Sequence, residues 1–250
     1  MPSRLRNISL TISFDGTRYA GFQIQKNGLA VQEVLETALR KILKEKVRLL
    51  AAGRTDAGAH ALAQEVSFKT GSPIPPIGLV RVLNALLPKD IAVRSAKVVP
   101  SFFHPRYHAV RKHYRYTLRH HSTPSPFDRL YATFYPYSLD VGAMRRAAKI
   151  FLGKKDFRSF QAKDKLERTS VRRIDRLSIQ EKSPYLYIDV EGNGFLYKMV
   201  RNIVGTLLEV GKGKIKPDQV RKIFFQKDRA KAGPTAPAKG LCLMSVKYSG

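Results

Sequence analysis

A change of hydrophobic period, from two residues to between three and four, limits what the start of this chain can become. Ile8, Leu10, Ile12 and Phe14 alternate with polar neighbours, and Asp15-Gly16-Thr17 supplies a turn. That is a half-buried strand that ends in a reversal. Val31, Val34, Leu35, Ala38, Leu39, Ile42 and Leu43 then recur at helical spacing, predicting an amphipathic helix from Val31 to Leu43. Val47 to Ala52 and Ala61 to Phe68 read as strands flanking a glycine-containing loop. Leu79, Val80, Leu83, Leu86 and Leu87 make a second helix that Pro88 stops, and Ile91 to Val99 reads as another strand. The order β-α-β-β-α-β is the split βαβ, ferredoxin-like unit.

The second half follows the same plan with looser spacing. Strands are predicted at Val110 to Leu118, Val171 to Gln180, Tyr185 to Val190 and Gly240 to Tyr248, with helices at Val141 to Phe151, Phe195 to Val210 and Pro217 to Phe225. The expected fold class is therefore α+β: two ferredoxin-like or RRM-like halves with mixed, mainly antiparallel sheets, joined side by side around a central basic cleft. The halves are residues 1–105 and 106–250, with the seam in the connector Pro100 to Ala109. Phe102, Phe103, His104 and Pro105 in that connector call for packing, which a flexible linker would not provide.

Composition narrows the partner. In 250 residues, 46 Lys and Arg stand against 19 Asp and Glu, a net charge of +27. Residues 1–109 hold 16 basic and 7 acidic side chains, and residues 110–250 hold 30 and 12, so the second half carries more of the excess. Such a surplus points to a polyanion, and by itself does not separate RNA from DNA or from anionic lipid. Arg172-Arg173, Lys154-Lys155 and Lys212 to Lys216 are candidate phosphate contacts. One cysteine, Cys242, excludes an internal disulfide and a thiolate-rich zinc site. No apolar run approaches the roughly 18 to 20 residues of a membrane-spanning helix. Met1 to Asn7 lead into a strand pattern and show no export signal, so the expectation is a soluble cytoplasmic protein without membrane contact.

The segment Ala51-Ala52-Gly53-Arg54-Thr55-Asp56-Ala57-Gly58-Ala59-His60 holds more chemistry than a hairpin turn needs. Two glycines let backbone approach a ligand closely, and Asp56 projects from between them with Arg54 and Thr55 before it. Taken alone, Asp-Ala-Gly is also an ordinary turn. Gly53-Arg54-Thr55-Asp56-Ala57-Gly58 followed by His60 resembles the nucleophile loop of the TruA family of tRNA pseudouridine synthases. The likeness extends along the chain in order. It includes Phe14-Asp15-Gly16-Thr17-Arg18-Tyr19-Ala20-Gly21-Phe22-Gln23, Val31-Gln32, the stretch from Leu83 to Ile91, Phe103-His104-Pro105-Arg106 and Lys112-His113-Tyr114-Arg115-Tyr116. Gly192 to Arg201 and Ala232 to Leu241 complete it. Ala59, Phe22 and Pro105 stand where the family more often has Val, Trp and Ala, and none of these removes a functional group. Gln161 to Arg168 is the least family-like stretch and reads as a mobile surface loop.

The resemblance implies that the chain isomerises uridines in the anticodon stem-loop of tRNA to pseudouridine, without a cofactor and as a homodimer. It implies Asp56 as the catalytic carboxylate, acting at the ribose of a flipped-out nucleotide either as nucleophile or as base. A carboxylate in a water-poor site tends to protonate, so a cation must hold it ionised. The resemblance gives that part to Arg201, gives Arg54 to the RNA, and makes Tyr114 the residue that stacks on the uracil. Phe103, His104 and Arg106 are candidate RNA contacts. Tyr114, Tyr116 and Leu118 alternate on one strand face, so a core role is the other reading for each, and it is retained for Tyr116. His104 and His108 are four residues apart, but Pro105 breaks the helix that would pair them on a metal, and no metal is expected. Two other readings stay open: a noncatalytic RNA-binding module, from charge and element order, and a phosphohydrolase with an Asp nucleophile, which lacks clustered carboxylates for Mg²⁺.

Overall fold

The structure is a computed structural model in which residues 5–26, 28–163 and 169–249 are described. Residues 1–4, and residues 164–168 of the loop Gln161 to Arg168, lie outside the described residues. The fold is α+β, and the strand pairing is mainly antiparallel. Two compact units divide it: one runs through Val110 and resumes from Cys242, and the other spans Arg111–Leu241.

The first unit contains β1 (Arg6–Phe14), α1 (Val31–Leu43), β2 (Leu50–Ala51), β3 (His60–Thr70), α2 (Pro76–Leu86) and β4 (Ile91–Val99). β1 is central, antiparallel to both β3 and β4. The alternation that predicts β1 places Ile8, Leu10 and Ile12 in the core, where Leu35 and Leu39 of α1 and Leu79 and Leu83 of α2 are also fully buried. Backbone carbonyls cap α1: the N–H groups of Val31 and Gln32 donate to Gly21 and Phe22 at 3.2 and 2.9 Å.

β2 is shorter than the expected Val47 to Ala52. Val47 and Leu49 are buried, but the Leu49 N–H donates to Glu36 Oε1 at 2.9 Å, so that amide is taken by a side chain. β2 covers only Val66 and Ser67 of β3. The other end of β3 is paired by the last strand of the chain, β10 (Leu241–Tyr248), through Cys242 opposite His60 and Leu243 opposite Ala61, in parallel. The strand that the periodicity assigns to the second half therefore belongs mostly with the first unit. Periodicity identifies a strand but carries no information about its partner.

The second unit orders its strands β5-β9-β8-β7, with every neighbouring pair antiparallel, from β5 (Ala109–His120), β7 (Gly153–Asp156), β8 (Val171–Lys182) and β9 (Tyr185–Gly192). A short β6 (Thr133–Tyr135) runs parallel to β5 at Leu118 to His120. The helices are α3 (Val141–Ile150), capped by Asp140 Oδ1 at 2.7 Å from the Ala143 N–H, α4 (Met199–Gly211) and α5 (Gln219–Gln226). α4 begins four residues later than the predicted Phe195: Lys198 adopts a left-handed φ of 57°, so Phe195 and Leu196 extend the apolar pattern from outside the helix. Phe151, Phe157, Phe160 and Phe224 form an aromatic cluster with centroids 4.9 to 6.3 Å apart. Among the described residues no helix is long and apolar enough to cross a membrane.

Asp189 of β9 is a buried carboxylate whose neighbours on β5 match it. His113 Nε2 lies 2.6 Å from Oδ1, and Arg115 Nε and Nη2 reach the two oxygens at 2.9 and 3.2 Å. Burial alone pushes its pKa up, and the bonds and charges of His113 and Arg115 outweigh that and hold it below the ordinary carboxylate value. A depressed folded-state pKa gives stability that is present above the unfolded-state value and lost as pH falls through the folded one. Asp189→Asn is therefore expected to cost about 2 kcal/mol in urea unfolding at pH 7, because a charged hydrogen-bond acceptor is removed. The gap from the parent should close as unfolding is repeated below about pH 4, where the free carboxyl also protonates.

Candidate active site

The loop between β2 and β3 is clamped at both ends by backbone-directed bonds. At its start the buried Gln64 donates from Nε2 to the Gly53 carbonyl at 2.6 Å, and the Ala52 N–H donates to the Glu65 carbonyl at 2.8 Å. At its end Gly58, with φ of 76°, donates its N–H to the Tyr19 carbonyl at 3.3 Å, and the Ala59 N–H closes a turn on the Asp56 carbonyl at 3.1 Å. Between the clamps Arg54 is exposed, Asp56 is half-buried and Ala57 is exposed. The Thr55 hydroxyl is buried with no hydrogen-bond partner among the described residues.

Gly21 explains how two stretches of backbone come so near. Its φ is 96°, and a Cβ built there would overlap the carbonyl oxygen of Thr55 and press on the Asp56 carbonyl carbon. Only glycine permits both the angle and the approach. The motif from Phe14 to Gln23 and the motif around Asp56, far apart in sequence, are thus one construction.

Tyr114 and Arg201 are set by the second unit. Tyr114, Tyr116 and Leu118 point to the buried side of β5, and the Tyr114 ring meets Phe195 edge-on at 5.2 Å. Tyr116 is core: its hydroxyl bonds Thr133 Oγ1 at 2.7 Å and donates to the Pro237 carbonyl at 2.8 Å, and burial pushes its pKa above the phenol range. Arg201 lies in the first turn of α4 and exchanges two bonds with Ala236, from Nε to the carbonyl at 2.7 Å and from the Ala236 N–H to its own carbonyl at 3.1 Å. The loop carrying Ala236 is pinned to α4 in turn. Asn202 Oδ1 accepts from Arg229 Nη2 at 3.0 Å and from Thr235 Oγ1 at 2.7 Å, and the Gly233 N–H donates to Thr206 Oγ1 at 2.9 Å. Composition gives no sign of Asn202, Thr235 or Arg229.

The connector places its candidates unequally. Phe103 packs on Tyr248 at 5.1 Å, and the Tyr248 hydroxyl donates to the Pro105 carbonyl at 3.0 Å. His104 and His108 accept backbone N–H groups on Nδ1, from Arg106 at 3.1 Å and from His104 at 2.9 Å, which makes both rings part of the loop's own bracing. Burial holds the His104 pKa below its ordinary value, and the neighbouring His108 and Arg106 add to this. Arg106 is exposed, as is Tyr107 (76%), and Phe102, expected from the sequence to pack, is 77% exposed because only Phe103 of the two neighbouring rings turns onto Tyr248. Among the described residues no three His, Cys, Asp or Glu side chains are grouped as a metal site. Lys212 and Lys214 pair with Glu209 at 2.7 and 3.7 Å, partly neutralising the Lys212 to Lys216 run. Lys154 and Lys155 stand directly opposite Arg173 and Arg172 on β7 and β8, two like-charged rungs at a sheet edge.

Gly21→Ala and Gly153→Ala separate the angle from the contact. Both glycines have φ near 90°, at 96° and 90°, but a Cβ at Gly153 meets nothing within 4 Å. Gly153→Ala should cost about 1 to 2 kcal/mol in urea unfolding, with turnover unchanged. Gly21→Ala should cost more, because the backbone at Thr55 and Asp56 must move.

The tRNA pseudouridine synthase family model matches residues 10–108 and 147–249. The chain is 47% identical to tRNA pseudouridine synthase A of Geobacter sulfurreducens over 98% of this chain and 100% of that one. It is 47% identical to the enzyme of that name from Pelobacter propionicus and 44% identical to the one from Thermoanaerobacter sp. strain X514, with the same coverage in each case. With a clamped Asp56 loop and likeness over nearly all its length, the chain belongs to the tRNA pseudouridine synthase family.

Proposed function

We propose that this protein converts uridines in the anticodon stem-loop of tRNA to pseudouridine, with Asp56 as catalytic carboxylate on a flipped-out nucleotide. The observation that carries the reading is the loop itself, held by hydrogen bonds at Gly53 and Gly58 on either side of Asp56. The reaction breaks the bond from ribose C1′ to uracil N1 and forms one from C1′ to C5. The proton on C5 leaves and N1 gains one, so atoms and electrons balance within the substrate and no cofactor is consumed. Asp56 acts at the ribose, as nucleophile or as base.

In this reading Arg201 supplies the positive charge that keeps the carboxylate ionised. Tyr114 stacks on the uracil, a contact of about 1 to 3 kcal/mol. Arg54, exposed beside Asp56, binds the RNA, as do Arg106 and the loop built on Phe103 and His104. The protein works in the cytoplasm as a homodimer, in which a two-fold axis doubles the basic surface.

Asp56→Asn should reduce tritium release from C5-labelled uridine in tRNA by about 10³-fold or more, with tRNA affinity little changed and a chelator without effect on the parent. Undiminished release by Asp56→Asn would favour a noncatalytic role for this loop. The cationic rungs of β7 and β8 give a second test. Arg173 is partly neutralised by Asp175 at 2.9 Å, but Lys155 opposite Arg172 sets two like charges together, which favours a bound polyanion. Replacing Lys154, Lys155, Arg172 and Arg173 with Gln should weaken tRNA binding and flatten its dependence on salt, by about 0.7 to 0.9 in the log–log slope for each phosphate no longer neutralised. The urea midpoint should hold or rise.

A further inference from the structure

The α2–β4 turn carries a carboxylate with three attachments to one short segment. Asn84 of α2 exchanges two bonds of 2.8 Å with the backbone of Val93, and the Ile91 N–H donates to the Pro88 carbonyl at 3.0 Å, so the turn holding Asp90 is fixed to both helix and strand. The Asp90 carbonyl accepts the Asp15 N–H at 2.9 Å. Its Oδ1 accepts the Tyr19 hydroxyl at 2.6 Å, and its Oδ2 accepts Arg18 Nη2 at 2.6 Å and Nε at 3.0 Å. Arg18 is on the surface, where an ion pair contributes little. Tyr19 is buried, and its phenol is pushed up to about 12 by burial and then by the Asp90 bond, so it remains a donor across the working pH range.

From Tyr19 the chain of contacts leads to the catalytic loop. Its N–H closes a turn on the Gly16 carbonyl at 3.0 Å, and its carbonyl accepts the Gly58 N–H. Two residues on, Gly21 lies against Thr55 and Asp56 while its carbonyl caps α1. Tyr19 and Gly21 thus touch the two ends of residues 55 to 58.

We infer that Asp90 and Tyr19 are positioning residues: the Asp90 carboxylate fixes the Tyr19 phenol, and the Tyr19 backbone fixes the loop that aims Asp56. The inference rests on Asp56 being the catalytic carboxylate proposed above. It assigns the effect to the phenol–carboxylate bond and excludes the Arg18 ion pair from it.

The test uses Tyr19→Phe, Asp90→Ala and Asp90→Asn in the full chain, beside Asp56→Asn. For each, the single-turnover rate on tRNA at saturating enzyme, the tRNA Kd and the urea midpoint are measured at a temperature where all are folded. Tyr19→Phe and Asp90→Ala should slow the single-turnover step on the order of 10- to 100-fold, the scale of a displaced reacting group, with Kd within about twofold. Asp90→Asn keeps an acceptor oxygen for the phenol and removes the charge, so it should recover most of the rate. A rate held by Tyr19→Phe and Asp90→Ala, whatever their midpoints, would overturn the inference. So would Asp90→Asn falling as far as Asp90→Ala. If Asp56→Asn keeps its rate, the site reading fails first, and that result is read independently of the other three.

Discussion

A side chain presented in one direction cannot sit on a backbone free to move, and a short loop has few side chains with which to hold itself. The bond from the Gly58 N–H to the Tyr19 carbonyl, beside the backbone contact between Gly21 and Thr55, resolves this conflict. Backbone is held by backbone, so these two clamps draw on neither the Arg54 nor the Asp56 side chain. The same segment caps α1 through Gly21 and Phe22. Loop and helix start are therefore attached to the same short segment, and a side chain added at residue 21 disturbs both.

The ordinary architecture was legible in the sequence because it follows from period. The span of α1 and the cores of β1, β3 and β4 need only the spacing of apolar residues. Departures occur where a side chain takes a backbone group or a residue adopts an unusual angle. Glu36 takes the Leu49 amide and shortens β2, and Lys198 turns left-handed and delays α4. β7 sends no such signal, because Gly153-Lys154-Lys155-Asp156 has no apolar member and exists only as an edge on β8.

The candidate site was legible in a different way. Asp56, Tyr114 and Arg201 could be named from motif resemblance, whereas the residues that brace them could not. Tyr19, Gly21 and Asp90 lie within family-like motifs, but their joint task becomes visible only when residues more than thirty positions apart are seen in contact. The connector shows the converse. Phe103 packs on Tyr248 and His104 accepts a backbone N–H within the loop, and that construction leaves Phe102, Arg106 and Tyr107 facing outward.

Arg201 meets the same conflict as Asp56 with different materials. The stretch Ala232-Gly233-Pro234-Thr235-Ala236-Pro237 has almost no side chain able to pack, so its position must come from stiffness and from bonds to its backbone. Its prolines reduce the freedom given up on folding. Gly205 and Gly233 let it lie against α4 where a Cβ would overlap carbonyl oxygens. The remaining constraint is Arg229, whose guanidinium meets the neutral oxygens of Ala232, Asn202 and Thr235, and whose pKa burial lowers. A cation desolvated without a carboxylate costs stability. The three hydrogen bonds of Arg229 offset that cost and pin the loop that carries the Ala236 carbonyl, the acceptor of the Arg201 Nε.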